Sequence, residues 1–227
     1  MINKNNLVYK KKYLREHQIK TIFTILKLIQ NKKNLNILDV GCANGNLVSF
    51  LKKNLKYQNN FEGVEIDRSI IKNDKKIFDN IYFSGFEKFL KKNKKKYDFL
   101  ILSGIICFFK NPFEKIISSL QHLKKNGQII IFDRFTEYAD VNIEHKFKSE
   151  KKMYSTYNTT SIYKLKQLKK KNNIKSVKYS KFKLKKNIKK NTRNLWQSYT
   201  VGTGEKKIIL NNLDIVNNFY HVLIKKC

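Results

Sequence analysis

Residues 37–45 have the sequence Ile-Leu-Asp-Val-Gly-Cys-Ala-Asn-Gly. The apolar run around Asp39 is typical of a short strand buried on both faces, and Gly41 and Gly45 permit the positive φ angles of a tight turn. Apolar positions between residues 47 and 55 then predict a helix, whose first backbone N–H groups can face an anionic ligand group. The stretch therefore predicts a strand, a ligand-binding glycine loop and a helix.

Short apolar segments alternate with helical segments along most of the chain. The predicted strands are 35–40, 61–66, 80–84, 97–103, 128–133, 174–184 and 219–225. The predicted helices are 17–30, 47–55, 69–78, 86–94, 113–123 and 160–171. This order favours an α/β fold with a doubly wound, mostly parallel sheet and helices on both faces.

Several polar residues stand at or just after the predicted strand ends. They are Asp39, Glu65, Ser103 and Asp133. Ligands of such sheets bind outside the carboxyl ends of the strands, so these side chains are expected on one rim. Glu65 follows Gly45 by about 20 residues, where an acid can accept hydrogen bonds from both hydroxyls of a ribose. The rim is therefore the predicted ligand site.

The motif Asp-x-Gly-x-x-x-Gly at 39–45, together with Gly-Val-Glu-Ile-Asp at 63–67, resembles the class I S-adenosylmethionine-dependent methyltransferases. The resemblance extends to the segments at 97–103 and 123–131 and covers residues 35–133. The loop lacks the middle glycine with which dinucleotide-binding enzymes accommodate a pyrophosphate. The resemblance implies S-adenosylmethionine as cofactor and a Rossmann-like, seven-stranded sheet whose last strand is antiparallel.

The same resemblance implies a set of cofactor contacts along the rim: Asp39, Gly41, Ala43, Gly45, Glu65, Ile66, Phe86 and Ser103. Phe86 stands where many members carry an acid for the adenine amino group. We therefore expect adenine to meet backbone amides and the phenyl face, with Glu87 as a weaker candidate. Phe108 stands where many members carry a histidine, which predicts an apolar wall in place of a base.

The sequence contains no obvious catalytic base. Methyl transfer mainly requires alignment of the acceptor, and an oxygen acceptor also requires removal of a proton. Candidates for this step are Asp133, His145 and His17, with Asp140 and Glu144 nearby. Each has a structural alternative: Asp133 could pair with Arg134, His145 could be a solvated surface residue, and His17 could cap or line the first helix.

The expected organisation is one methyltransferase domain over residues 1–227, with a helical segment at 1–34, a cofactor-binding core at 35–133 and acceptor-side loops at 134–227. The last part is weakly similar to the tails of small-molecule and sugar-modifying methyltransferases. Its aromatic residues Tyr157, Trp196 and Tyr199 are predicted to line the acceptor pocket, or else to pack beneath loops. The expected acceptor is an oxygen or nitrogen of a small molecule or of a sugar or surface-glycan precursor.

The net charge of +32 leaves an RNA acceptor open. Nucleic-acid surfaces commonly use arginine for phosphate and base contacts, whereas this chain has only Arg15, Arg68, Arg134 and Arg193. Lysine-rich usage of this kind is also typical of biased codon composition. A non-catalytic binding protein that keeps the fold is a third hypothesis.

The remaining composition predicts neither a metal site nor a membrane anchor. The three cysteines have no zinc-binding or disulfide spacing, so no metal is expected. No apolar run reaches the roughly 20 residues of a membrane span, and no signal peptide is predicted. A cytoplasmic protein is expected, and the oligomeric state is not indicated.

Overall fold

The computed structural model describes residues 16–71, 77–145, 155–171, 173–184, 187–190, 198–204, 207–212 and 215–227. Its helices are α1 (Glu16–Ile29), α2 (Asn46–Asn54), α3 (Phe86–Lys92), α4 (Pro112–Leu120) and α5 (Ile162–Lys171). Its strands are β1 (Asn36–Val40), β2 (Asn60–Glu65), β3 (Asn80–Phe83), β4 (Tyr97–Ser103), β5 (Leu123–Thr136), β6 (Val141–His145), β7 (Ser155–Ser161), β8 (Ile174–Lys181), β9 (Ser198–Val201), β10 (Ile208–Asn211) and β11 (Phe219–Lys226). A short 3-10 turn covers Ile106–Phe108.

The main sheet has the strand order β3-β2-β1-β4-β5-β11-β8. Strand β1 is parallel to both β2 and β4, and β11 is antiparallel to both β5 and β8. The chain first builds outward from β1 to β3 and then returns to the other side of β1, so the strand order reverses between β1 and β4. This reversal creates the crevice in which doubly wound sheets bind ligands. The expected fold, with seven strands and an antiparallel last strand, is confirmed.

Successive residues of the central strands supply two separate cores because side chains alternate across a sheet. Ile37 and Ile101 pack with α1 and α2 on one face. Leu38 and Leu100 pack with α3, α4 and α5 on the other. All four of these side chains are fully buried. Helices therefore cover both faces, and the carboxyl ends of the central strands remain as the edge where a ligand can enter.

The sequence underestimated the strand content after residue 133. The strand predicted at 128–133 runs from Leu123 to Thr136, and its last two residues pair with β7. Residues 134–157, which lack a periodic pattern, contribute to the antiparallel β6–β7 pair, and β9 and β10 form a second ribbon. Short polar strands of this kind are held by backbone pairing without one fully buried face, so they carry no clear alternation.

The helix predicted at 69–78 differs from the structure. Asp67 Oδ1 accepts hydrogen bonds from Ser69 N at 2.9 Å and from Ser69 Oγ at 2.7 Å, which closes a turn. Residues 72–76 lie outside the described part of the chain. The cap predicted at Asp67 or Ser69 is therefore a local turn in the described residues.

Within the described residues, none of the helices combines the length and the apolar character needed to cross a bilayer. The same residues contain no cluster of three or more side chains suited to hold a metal ion.

Candidate active site

The glycine loop between β1 and α2 has three residues with positive φ. The φ angles are 66° at Gly41, 47° at Ala43 and 74° at Gly45. A Cβ atom on Gly41 would lie 3.0 Å from Ile105 Cδ1, and one on Gly45 would lie 2.8 Å from the ring of Phe78. Both glycines are therefore required by backbone conformation and by close neighbours.

Glu65, the last residue of β2, ties its strand to the glycine loop. Its Oε2 accepts a hydrogen bond from Ala43 N at 2.9 Å. Its Oε1 accepts from Ile66 N at 2.8 Å and Asp67 N at 3.1 Å. A carboxylate offers about four acceptor positions, so these bonds leave one for a further donor. The carboxylate borders the loop as the cofactor hypothesis requires, and its bond to a ribose stays a prediction.

Asp39, at the end of β1, is a buried acid without a hydrogen-bond partner for its carboxyl group among the described residues. Its side chain is 4% exposed. Burial, followed by the negative charge of Glu65, raises the pKa of Asp39 to about 8. Burial and the same two acids also raise the pKa of the neighbouring Cys42 thiol. This end of the crevice favours a ligand with positive charge, since a cation stabilises both carboxylates.

The predicted adenine wall differs from the structure. Phe86 is only 5% exposed, and its ring packs in the core beside Phe89 and, with a centroid separation of 5.7 Å, Phe109. A buried Phe86 offers little of its ring face to a ligand, and its contact with adenine stays a prediction. Apolar surface at this place comes from Ile66, which is 66% exposed and approaches Gly85.

The end of β4 opens into the turn that follows it. Ser103 is half-buried at the last position of the strand. Gly104 comes next with a φ of 71°, and a Cβ atom built there meets nothing within 4 Å. Phe108, at the end of this turn, is 52% exposed. The turn therefore presents backbone and an apolar ring to the rim.

Asp133, one of the candidate bases, is completely buried. Its Oδ2 accepts from Ile106 N at 2.6 Å and Cys107 N at 3.2 Å, and its Oδ1 accepts from Arg134 N at 2.8 Å. Burial raises the pKa of this carboxyl group. The contacts favour a positioning role for Asp133, which fixes the 3-10 turn after β4. Its function as a base stays a prediction.

The other candidate bases are distributed over the chain. His17 lies in α1 and His145 ends β6, and the side chains of both fall outside the described atoms, as does the whole of Trp196. Asp140 Oδ1 accepts from Thr160 Oγ1 and Ser161 N, and Asp140 Oδ2 pairs with Lys164 Nζ at 2.7 Å. Glu144 is exposed and accepts a hydrogen bond from Asn142.

A cavity of about 150 Å³ lies beyond the carboxyl end of β5. Its described lining comes from β5, from the β6–β7 pair and from the segment before β11: Arg134, Phe135, Thr136, Val141, Ile143, Tyr157, Thr159, Asn211, Ile215, Val216, Asn217 and Asn218. The ring of Tyr157 lies 5.6 Å from that of Phe108. Tyr157 therefore connects the cavity with the turn after β4.

Sequence reasoning found only part of this cavity. Tyr157 lines this cavity, and its role in an acceptor pocket stays a prediction, whereas Tyr199 is buried in the β9–β10 ribbon with Lys190 Nζ 4.8 Å from its ring centroid. Arg134 and Asn217 were missed as lining residues. The rarity of arginine in a lysine-rich chain, directly after a strand end, was the one available signal for Arg134.

Comparison with solved structures places this architecture among methyltransferases. An S-adenosylmethionine-dependent methyltransferase from Archaeoglobus fulgidus has a TM-score of 0.58 and 16% identity, covering 98% of this chain and 100% of its own. The 1,6-didemethyltoxoflavin-N1-methyltransferase of Burkholderia thailandensis, with 1,6-didemethyltoxoflavin and S-adenosylhomocysteine bound, has a TM-score of 0.57 and 7% identity over 99% and 83% of the two chains. The magnesium protoporphyrin IX methyltransferase of Synechocystis PCC 6803, with S-adenosylmethionine bound, has a TM-score of 0.55 and 11% identity over 98% and 89%.

The sequence itself identifies the family. No curated protein matches the chain with significance. A family model described as "Methyltransferase domain" matches residues 13–175, which include the glycine loop, Asp39 and Glu65. The chain therefore belongs to the methyltransferase family, and the expected class I S-adenosylmethionine-dependent enzyme, with S-adenosylmethionine as its cofactor, is confirmed.

Proposed function

We propose that this chain transfers the methyl group of S-adenosylmethionine to an oxygen or nitrogen atom of a small molecule. The observation that carries the proposal is the cavity at the end of β5, whose Tyr157 contacts Phe108 of the turn after β4. A small cavity that borders the turn after β4 suits a compact acceptor.

The cofactor end of this proposal rests on the residues of the first two strand ends. Asp39 would face the positively charged methionine portion, and Glu65 would accept a hydrogen bond from one ribose hydroxyl with its remaining acceptor position. The cofactor supplies a methyl group that its sulfonium already activates. The residue roles assigned here are proposals that rest on burial and on the contacts around the glycine loop.

The acceptor end needs alignment more than acid–base chemistry. An activated methyl group requires an acceptor atom held in line, and fixed geometry of this kind contributes a large part of the barrier reduction. Asp133 holds the backbone of the turn at 106–108, and this turn carries Phe108 at the rim. We propose that Phe108 and Tyr157 position the acceptor and exclude water.

Two structural neighbours add support for a small acceptor. The Burkholderia protein contains bound 1,6-didemethyltoxoflavin, and the Synechocystis protein is named for magnesium protoporphyrin IX. Both are small molecules, and both proteins share the fold of this chain. A sugar or surface-glycan precursor falls within the same proposal, because the part of it that accepts the methyl group is similar in size to a small molecule.

Isothermal titration calorimetry with S-adenosylmethionine tests the cofactor site. We expect binding to the wild-type protein and a loss of at least tenfold in affinity for Glu65→Gln. Asp98→Asn is the matched control, since Asp98 pairs with Lys124 and bonds Asn36 N at the opposite end of β1 and β4. Unchanged affinity in Glu65→Gln would remove the proposed ribose role.

Transfer of a labelled methyl group tests the acceptor class. We expect label from S-adenosylmethionine in the low-molecular-mass fraction of a cell extract and none in the RNA fraction. Label in RNA, with RNA binding at about 50 mM salt that weakens steeply as salt rises, would favour the RNA alternative. Absence of transfer to every fraction, despite cofactor binding, would identify a non-catalytic member of the fold.

A further inference from the structure

The cavity beyond β5 contains a cation, Arg134, that interacts electrostatically with the neighbouring Asp133 but forms no direct salt bridge in the described part of the chain. Arg134 is half-buried, and among the described residues no ion pair involves it. Its neighbour Asp133 directs its carboxyl oxygens to three backbone N–H groups. A partly buried guanidinium with no carboxylate bonded directly to it favours a ligand that supplies one.

The Arg134 guanidinium is held in one orientation by its neighbours. Its Nε donates to Asn217 Oδ1, and its Nη1 donates to Cys107 Sγ at 3.3 Å. Its Cζ lies 4.7 Å from the ring centroid of Tyr157 and 4.9 Å from that of Phe219. A guanidinium has five N–H donors, and these two bonds use two of them. The donors that remain are pre-oriented between two aromatic rings.

Asn217 adds a second donor to the same wall. It lines the cavity and is 4% exposed, and its Nδ2 has no hydrogen-bond partner in the described structure. Its Oδ1 is occupied by Arg134, which fixes the amide so that the NH₂ group is the free end. Buried amide donors are normally satisfied, so an acceptor atom is missing here.

The size and charge of the cavity limit what that acceptor can be. A cavity of about 150 Å³ admits roughly one benzene-sized body. Arg134 is the only cationic residue in its described lining, while Val141, Ile143 and Val216 make apolar walls. One positive charge matches a monoanion better than a phosphate dianion. The planar guanidinium fork also matches a carboxylate in a two-point hydrogen bond.

We propose that the acceptor is a small carboxylic acid whose carboxylate binds Arg134 and the Asn217 amide, with its apolar body against the walls of the cavity. This inference rests on the proposed small-molecule methyltransferase function and narrows its substrate class. Since Tyr157 touches both Arg134 and Phe108, an acid anchored at Arg134 extends past this ring toward the rim.

Benzoate, its neutral analogue benzamide and phenyl phosphate are suitable probes, because they share one ring and differ in charge. Binding is measured by ligand-observed NMR on protein saturated with S-adenosylhomocysteine, whose own binding is first verified by calorimetry. We expect benzoate to bind at least tenfold more tightly than benzamide and more tightly than phenyl phosphate. We expect Arg134→Gln to weaken benzoate at least tenfold, and Arg134→Lys to weaken it less.

Two further variants keep the test interpretable. Asn217→Asp places a negative charge beside the anion and is expected to weaken benzoate binding. This variant tests the site independently if Arg134→Gln lowers the unfolding temperature. Lys53→Gln removes a positive charge from the exposed last turn of α2 and is expected to leave benzoate binding unchanged.

The outcomes separate the two proposals. Equal binding of benzoate and benzamide, or unchanged benzoate binding in Arg134→Gln, overturns the carboxylate site. If S-adenosylhomocysteine still binds in that case, the methyltransferase proposal stands. Tighter binding of phenyl phosphate overturns the assignment of the anion as a carboxylate. Failure of S-adenosylhomocysteine and S-adenosylmethionine to bind overturns the proposed function itself.

Discussion

The cofactor half of the molecule (residues 35–133) and the proposed acceptor half (residues 134–227) are held together by different kinds of contact. In the cofactor half, Glu65 and Asp133 accept hydrogen bonds from backbone N–H groups of neighbouring loops. In the acceptor half, side chains supply more of the contacts: Arg134 bonds Asn217, and Asp140 bonds Thr160 Oγ1 and Lys164 Nζ besides the backbone N–H of Ser161. Backbone donors exist whatever the residue type, whereas side-chain pairs depend on both partners. The cofactor half is therefore recognisable from a short motif, whereas the contacts of the proposed acceptor half follow no short motif.

Asp39→Asn is expected to have the largest effect on this comparison. Removal of the buried negative charge should weaken S-adenosylmethionine at least 100-fold, because loss of one partner of a buried ion pair costs about 3 kcal/mol or more. Calorimetry on Asp39→Asn measures the loss, with Asp98→Asn as the control. Affinity within tenfold of wild type would contradict the role of Asp39.

The same substitution should stabilise the ligand-free protein. The folded pKa of Asp39 lies near 8, above the usual aspartate pKa of 3.8, so the folded state holds the proton more tightly. The free energy of unfolding therefore falls as pH rises from about 4 to 8, and Asp39→Asn removes this loss. We expect a gain on the order of 2 kcal/mol at pH 8 by urea unfolding, and none near pH 4. A loss of stability at pH 8 would contradict the burial of a charged carboxylate.

Gly45→Ala should have the next largest effect. The residue has a φ of 74°, and a Cβ atom would lie 2.8 Å from the ring of Phe78. We expect the free energy of unfolding to fall by about 2 kcal/mol, together with weaker cofactor binding. Gly104→Ala is the matched control, because it also has a positive φ of 71° but open space around its Cβ. Equal losses of unfolding free energy in the two variants would show that the positive φ angle, and not the contact with Phe78, is the reason for glycine at position 45.

Cofactor affinity should depend on pH in a defined direction. A positively charged ligand binds the ionised form of Asp39, whose pKa is about 8 in the free protein. Affinity should therefore fall up to tenfold for each pH unit below 8, with proton release on binding at pH 7. Calorimetry in buffers of different ionisation enthalpy measures the released protons. A cofactor affinity that does not change between pH 6 and pH 8 would contradict the role of ionised Asp39 in binding.

Asp140→Ala tests the independence of the acceptor half and should have the smallest effect. Asp140 bonds Thr160, Ser161 and Lys164, which ties the start of β6 to the junction of β7 and α5. The ion pair is partly exposed, so we expect a loss of about 1 kcal/mol in the free energy of unfolding. Cofactor affinity should stay within twofold of wild type. A larger change in affinity would show that the two halves are coupled.

Sequence patterns located most elements of the cofactor half to within a few residues, with the helix predicted at 69–78 and the start of β5 as the exceptions. β4 begins at Tyr97 and ends at Ser103 as predicted, since a run of apolar residues buried on both faces has one natural conformation in this context. Phe86 shows the limit of the motif. Its position after β3 was right, yet packing against Phe89 and Phe109 turned its ring into the core. A sequence pattern predicts the position of a residue in the fold, whereas packing against neighbouring residues decides the direction of its side chain.

The sequence by itself determined the doubly wound sheet, the glycine loop and the acid that follows the second strand, because each depends on local conformation and on burial that repeats along the chain. Tertiary structure alone decided the acceptor side. Arg134 and Asn217 are far apart in sequence and meet across the β5–β11 junction. No local pattern records that contact, since long-range packing brings the two residues together. The motif at 37–45 therefore identifies the cofactor, whereas the proposed acceptor cavity beside Arg134 is visible only in the tertiary structure.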